Sequence, residues 1–213
     1  MNFSGLPASL HSVSTINDLE WQLAANRRYW TSWNGELPDN DLTVYRTGIH
    51  HNLLNGVLRV RNRPLKDAID EAHEQLDGSR WGWWVGADSD EATVDGLLAH
   101  GATITGEMPV MAIDILGATR FDPPDDLRIR IVRERSEMRE YVAAYSGPLG
   151  FRAEDLEVIV DRELANRVGR VVRLAGIIDG RTVGTCTLSV ATETAALYFI
   201  ATDPAYRRRG VAT

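Results

Sequence analysis

Apolar and polar residues alternate strictly through Leu127-Arg-Ile-Arg-Ile-Val132, which predicts a strand with one buried face. The period then changes. Met138, Tyr141, Val142 and Tyr145 recur at helical spacing after Ser136, a residue suited to cap a helix start, and Gly147-Pro148 is expected to end that helix. Leu156, Ile159, Val160 and Leu164 predict a second helix, entered through Glu154-Asp155, whose charges suit the positive end of a helix dipole. Val171 to Ile178 and Val183 to Val190 read as strands joined by Asp179-Gly180, a hairpin signal, and Ala195 to Thr202 reads as another after a turn near Thr192-Glu193. From Leu127 onward the order is therefore strand, helix, helix and then three strands.

The first half is less regular. Thr15-Ile-Asn-Asp18 reads as a capping box ahead of Leu19, Leu23 and Trp30, and so as a helix start. Asp41 to Gly48 and Asn52 to Arg61 read as strands. Pro64 stands where a helix begins, Leu65, Ile69, Ala72 and Leu76 give it one apolar face, and Gly78 closes it. Trp81-Gly-Trp-Trp-Val-Gly86 predicts a short strand on which Trp81 and Trp83 share a face and Trp84 points the other way. A buried strand is favoured there over an aromatic wall for a ligand, because aromatics dominate cores. Asp88-Ser-Asp-Glu91 introduces a helix through Val94, Leu97 and Leu98 that ends at Gly101, and Ala102 to Ile115 reads as a last strand, interrupted at Met108-Pro109. Gly117 to Asp126 then carries two prolines, a glycine and three aspartates, which is the composition of a linker. The expected division is 1–117, a linker at 118–126, and 127–213.

Composition and charge narrow the function. The 213 residues allow one large domain or two small ones. A net charge of −7 argues against nucleic acid as the principal partner, since phosphate neutralisation needs a basic face. Cys186 is the single cysteine, so there is no disulfide framework, and it reads as a small core residue rather than a nucleophile. No run approaches the ~18 apolar residues of a membrane span, and the start Met1-Asn-Phe-Ser-Gly5 has no signal-peptide pattern. A cytoplasmic protein with no membrane and no nucleic-acid partner is expected. His50 and His51 would face opposite ways on a strand, no second cluster has ligand spacing, and no metal is expected. His73 reads as a surface helix residue, and His11 and His100 have no evident partner. Nucleophile-elbow, Walker and dinucleotide motifs are absent from the sequence.

The strand ending at Thr202 runs into Asp203-Pro204-Ala-Tyr-Arg207-Arg208-Arg209-Gly210-Val211-Ala212. Strand, tight turn, basic glycine-containing loop and helix start is an order suited to a polyphosphate, because the unpaired N–H groups of a helix N-terminus attract anions. A charge run is more often a solvated turn, but Pro204 and Gly210-x-Ala212 at fixed offsets favour the anion loop. The loop resembles the acetyl-CoA signature of the GNAT acetyltransferase superfamily, Val-x-Pro-x-x-(Gln/Arg)-x-x-Gly-x-(Gly/Ala). Thr202 takes the valine place, an isosteric departure, and Pro204, Arg207, Gly210 and Ala212 match. The element order from Leu127 resembles the first half of that fold, and the order from Asn52 to Ile115 resembles its second half. The chain thus resembles tandem GNAT proteins in which a degenerate N-terminal domain precedes an active one. The implied fold is α/β (α+β), a mixed and mostly antiparallel sheet flanked by helices, in two half- or pseudo-GNAT units. The remaining GNAT elements do not follow before Thr213, so a copy truncated after the loop is expected.

The resemblance implies an N-acetyltransferase that uses acetyl-CoA as co-substrate to acetylate a primary amine on a small molecule or peptide. It implies that main-chain N–H groups of Arg207, Arg208, Arg209, Gly210, Val211 and Ala212 hold the pyrophosphate, that pantetheine lies along Ile200 and Thr202, and that an N–H near Ile200 binds the thioester carbonyl. The general base has no clear owner: Ala195 to Thr202 contains no acid, Glu193 is a weak candidate, and Asp203 reads as a turn residue. No phosphate loop lies between Arg61 and Leu65, so the first unit is expected to shape an acceptor cleft without holding CoA. Two further readings stand beside this one. One is an inactive pseudo-acetyltransferase that binds CoA or associates with a protein; the other has the elements of Asn52–Ile115 complete the second sheet, within the chain or across a homodimer.

Overall fold

Two separate sheets organise the chain, whose computed structural model describes residues 19–35, 40–119, 121–166, 170–191 and 194–212. Helix α1 (Leu19–Thr31) comes first; the Thr15–Asp18 capping box lies outside the described residues. Strands β1 (Leu42–Arg46) and β2 (Asn55–Val60) pair antiparallel, helix α2 (Leu65–Gln75) crosses over, and β3 (Gly82–Trp83) pairs parallel to β2. Helix α3 (Thr93–Ala99) follows. The second sheet has the order β4 (Arg128–Ile131), β5 (Arg170–Ile178), β6 (Arg181–Val190), β7 (Ala195–Thr202), antiparallel throughout, with α4 (Arg135–Leu149) and α5 (Leu156–Ala165) between β4 and β5 in the chain.

The elements follow from local rules. α2 turns Ala68, Ala72 and Leu76 onto Val57 and Val60 of β2, and Trp81 and Trp83 pack on the same cluster. Trp84 faces the other way, its indole Nε1 donating to Tyr45 Oη at 3.0 Å, as alternation on the strand requires. β2 and β3 approach closely because Gly56 has no Cβ; one built there would lie 2.2 Å from the Gly82 carbonyl oxygen. Asp179 and Gly180 both take positive φ (50° and 76°), which is the backbone of the tight β5–β6 hairpin.

The halves share one core. Tyr29, Trp30 and Leu54 from the first half join Met138, Tyr145 and Phe199 from the second in a single apolar cluster. One turn of α1 thus carries both links, since the buried Arg27 guanidinium, two residues before Tyr29, pairs with Asp88 beyond β3, tying α1 to the first half by charge and to the second by aromatic packing.

Three expectations are corrected. Ser136 does not cap α4; Glu134 is the N-cap, and Glu137 three residues on completes a capping box by accepting from the backbone N–H of Glu134 at 3.2 Å and of Arg133 at 2.9 Å. Nor does Gly147-Pro148 end that helix. Pro148 sits in its last turn, where it removes one i→i−4 hydrogen bond without stopping the helix, and Gly150 (φ 76°) supplies the left-handed stop. Finally, Ala102 to Ile115 forms no strand: it runs without a pairing partner to a short 3-10 turn at Ile115–Gly117 and exposes Met111 (88%) and Leu116 (93%). An extended segment becomes a strand only when another backbone pairs with it. The first-half strands form their own sheet rather than completing the second one, and among the described strands β7 has β6 as its one neighbour.

Candidate active site

β7 is an edge strand with a break in its register. Thr187 stands opposite Tyr198 and Thr185 opposite Ala201, so Phe199 and Ile200 together face Cys186 as a bulge. Phe199 takes φ 48°, left-handed backbone that a bulky residue adopts at a cost of about 1–3 kcal/mol. The bulge puts two consecutive side chains on one face: Tyr198 and Phe199 both meet Trp30, with ring centroids 6.0 and 5.9 Å away. Ile200 then points to the opposite side, 52% exposed, as does Leu197. The carbonyl of Phe199 is met by the Thr185 hydroxyl at 2.7 Å.

A buried polar and aromatic network lies beneath the bulge. The Phe199 ring stacks on Tyr145 of α4 (4.7 Å, 19°), and Tyr29 of α1 stacks on Tyr198 (3.7 Å, 7°). Tyr145 donates its hydroxyl to Glu163 at 3.0 Å, and Glu163 also accepts from Arg173 Nε at 2.9 Å. Burial, and next to it the Glu163 charge, pushes the phenols of Tyr29, Tyr141 and Tyr145 up; burial alone pushes Tyr198 up. All four stay protonated near neutral pH and none is a ready base. Burial also pushes the Cys186 thiol up, which keeps it from acting as a thiolate.

β7 leads directly into the arginine loop. Asp203 accepts from the Ala205 N–H at 2.9 Å and caps the short 3-10 turn Pro204–Tyr206, the turn role expected of it. Residues 207–212 continue as turns, with Arg208 (φ 60°) and Gly210 (φ 74°) left-handed, and the expected helix start is not formed among them. The loop is pinned at three points. Tyr206 lies between Arg181 and Arg209, 6.0 and 5.2 Å from its ring centre. Arg209 pairs with Asp126 at 2.7 Å, and Val211 packs over Gly184, where a Cβ would come within 2.6 Å of its Cγ1. Arg207 reaches only a carbonyl, that of Thr202 at 3.5 Å, and Arg208 is exposed with no ion pair to a described residue. Two cations thus remain available to an anion beside an open strand edge, which fits a phosphate-bearing chain lying along β7.

The structure brings Ile200, Thr202 and Arg207 to Ala212 together at one end of β7. Glu193 lies outside the described residues. Sequence reasoning missed the bulge, because Leu197-Tyr-Phe-Ile200 is apolar throughout and leaves no alternation in which to see a slip. It also missed Glu163, one acid among many, which is 0% exposed. An open cleft of about 500 Å3 between α4 and the β5–β6 turn is lined by Asp203 and Pro204 but by neither bulge residue. His51 lies against Phe151, 4.5 Å between ring centres, and no group of three or more His, Cys, Asp or Glu among the described residues is placed to hold a metal. No described helix is long and apolar enough to cross a membrane.

Residues 133–213 match the family model described as the acetyltransferase (GNAT) family. This stretch is similar to the domains of that family. The mixed α/β fold agrees with that match. In fold, the chain is similar to a GCN5-related N-acetyltransferase from Kribbella flavida, with a TM-score of 0.59 over 89% of this chain and 77% of that one at 13% identity. No curated protein matches the sequence at a significant level.

Proposed function

We propose that this chain is an acetyl-CoA-dependent N-acetyltransferase acting on a primary amine of a small molecule or peptide. The observation that carries the reading is β7 itself, whose outer edge is open among the described strands, with a bulge at Phe199-Ile200 that runs straight into a loop with two arginines in no ion pair with a described residue. Pantetheine adds to the free edge through main-chain hydrogen bonds along Ile200 and Thr202, and the pyrophosphate meets the N–H groups and side chains of Arg207 to Ala212. A main-chain N–H at the bulge, near Ile200, donates to the thioester oxygen as negative charge develops there. The neutral amine attacks the carbonyl carbon, the C–N bond forms, the C–S bond breaks, and CoA leaves as the thiolate. Glu193, just before β7, is the carboxylate to which the reading assigns the proton lost by the ammonium. Residues 1–117 form a degenerate unit that shapes the acceptor side, joined by 118–126 to the domain at 127–213.

One observation favours a second reading, a CoA-binding or protein-association module without turnover. Tyr29, Trp30 and Trp33 of the first half cover the inner face of the bulge and fill space beside it. Calorimetric titration of this chain with acetyl-CoA, combined with amine-dependent release of CoA thiol, separates the two. Heat with thiol release supports the enzyme, heat alone supports the CoA-binding module, and no heat with no thermal shift overturns both of these and leaves only protein association.

A further inference from the structure

Phe199 holds a backbone conformation that its side chain disfavours, so something outside β7 must fix it. The contacts lead inward in one line. The Phe199 ring lies flat on Tyr145, the Tyr145 hydroxyl ends on Glu163, and Glu163 is held by Arg173, which also donates to the Asn166 carbonyl at 3.3 Å. Glu163 is wholly buried and Arg173 nearly so, although apolar side chains would close α5 against β5 equally well. An ion pair does what an apolar contact cannot: it fixes one rotamer of the tyrosine that meets it, through a directional hydrogen bond in a low-dielectric interior.

We propose that Glu163 is a positioning residue, which acts through Tyr145 to hold Phe199 left-handed and so sets the bulge that carries the carbonyl-binding N–H. The clause about the N–H rests on the acyl-transfer reading; the clause about the bulge does not. Its other ring neighbours among the described residues are Trp30, Trp33 and Phe151, all uncharged.

Tyr145→Phe is the discriminating variant, because it keeps the stacked ring and the Glu163–Arg173 pair and removes only the hydroxyl. Amide hydrogen exchange on the full chain is expected to quicken about 10-fold at the amides flanking the free donor, Phe199 and Ala201, the scale of one lost hydrogen bond. Leu174 and Ala175 on β5 should change less than about 2-fold. Equal quickening on both strands, or none at the bulge, overturns the proposal and leaves Glu163 as packing. Should Tyr145→Phe not fold, Arg173→Lys loosens Glu163 with its charge retained and must show the same local pattern. With turnover, Tyr145→Phe should lower kcat by a similar factor with KM for acetyl-CoA within about 2-fold, since the N–H acts on charge that develops only in the transition state. A local exchange change in a chain that never turns over acetyl-CoA sinks the acyl-transfer reading and keeps the bulge assignment.

Discussion

Arg61-Asn-Arg-Pro64 follows β2 much as Asp203 to Ala212 follows β7: both are basic turns at the end of an apolar strand, and each contains a non-glycine residue with positive φ, Asn62 at 55° and Arg208 at 60°. Their surroundings differ. Arg61 pairs with Asp41 at 3.3 Å and Arg63 with Glu71 at 2.7 Å, so neither cation is available. β2 is buried along its whole length and has neighbours on both sides, β1 and β3. Among the described strands β7 has one neighbour, and it ends in two arginines that no described acid neutralises. The order of elements is shared, but an anion site needs unpaired cations and an open strand edge, and among the described residues only the second unit has both. The first unit has instead used its strand edge for β3, which Gly56 admits.

That contrast breaks hardest at the glycines. Gly56→Ala drives a Cβ to within 2.2 Å of a backbone oxygen that cannot move without unzipping β2 from β3, so a loss of about 3 kcal/mol is expected, or roughly 6–12 °C in melting temperature. Gly184→Ala meets only the end of the Val211 side chain, at 2.6 Å, which can rotate away. Its cost should be about 1 kcal/mol, or roughly 2–4 °C, and calorimetric melting of the two variants side by side reads the difference. Equal losses would mean that Val211 anchors the loop as firmly as β3 anchors β2.

The next effect is on affinity rather than stability. Replacing Arg207 and Arg208 together with alanine should raise the dissociation constant for acetyl-CoA roughly 10- to 100-fold, the scale of one or two lost charge-assisted contacts. Melting should hardly move, because both side chains are exposed. Arg61→Ala with Arg63→Ala should leave the dissociation constant within about 2-fold and cost the chain under about 1 kcal/mol, as surface pairs do. Titration calorimetry on the two double variants decides it, and a matching loss from the first-unit pair would remove the distinction between the turns.

The sequence made one of these turns legible and hid its setting. Alternation in Leu127 to Val132 and the Asp179-Gly180 turn are local signals that gave a strand and a hairpin. Ile129 and Ile131, however, stand exposed (59% and 47%) instead of forming the expected buried face, and Pro204 to Ala212 gave the turn without the expected helix start. Pairing is not local. Ala102 to Ile115 has the residues of a strand and no partner, whereas Gly82-Trp83, two residues long, is a strand because β2 lies beside it. The bulge was hidden for a related reason. A slip in register shows only against the opposite strand, and the left-handed φ of Phe199 depends on Tyr145, 54 positions earlier in the numbering. Glu163 was equally unreadable, since a buried acid differs from a surface one only in what surrounds it.

The smallest expected effect lies where the two units meet. His51 precedes β2, its ring lies edge-on to Phe151 at the end of α4, and its Nδ1 accepts the Leu53 N–H at 3.2 Å. Burial pulls its pKa below the ordinary 6.5, and Arg80 adds to this, while Asp155 opposes it. The folded chain therefore binds this proton less readily than the unfolded one. Stability from this site is fully present above the ordinary histidine range and is lost as pH falls through it, because the unfolded state takes up the proton first. His51 is only half-buried, so solvent screens the effect and the slope should be shallow, smaller than either glycine variant's loss. His51→Gln removes the titration and keeps an acceptor for Leu53. Melting measured from pH 7.5 to 5.5 should fall less steeply in this variant than in the parent. Parallel slopes would mean that the protonated ring finds water at the seam and that the two units meet there more loosely than their shared aromatic core implies.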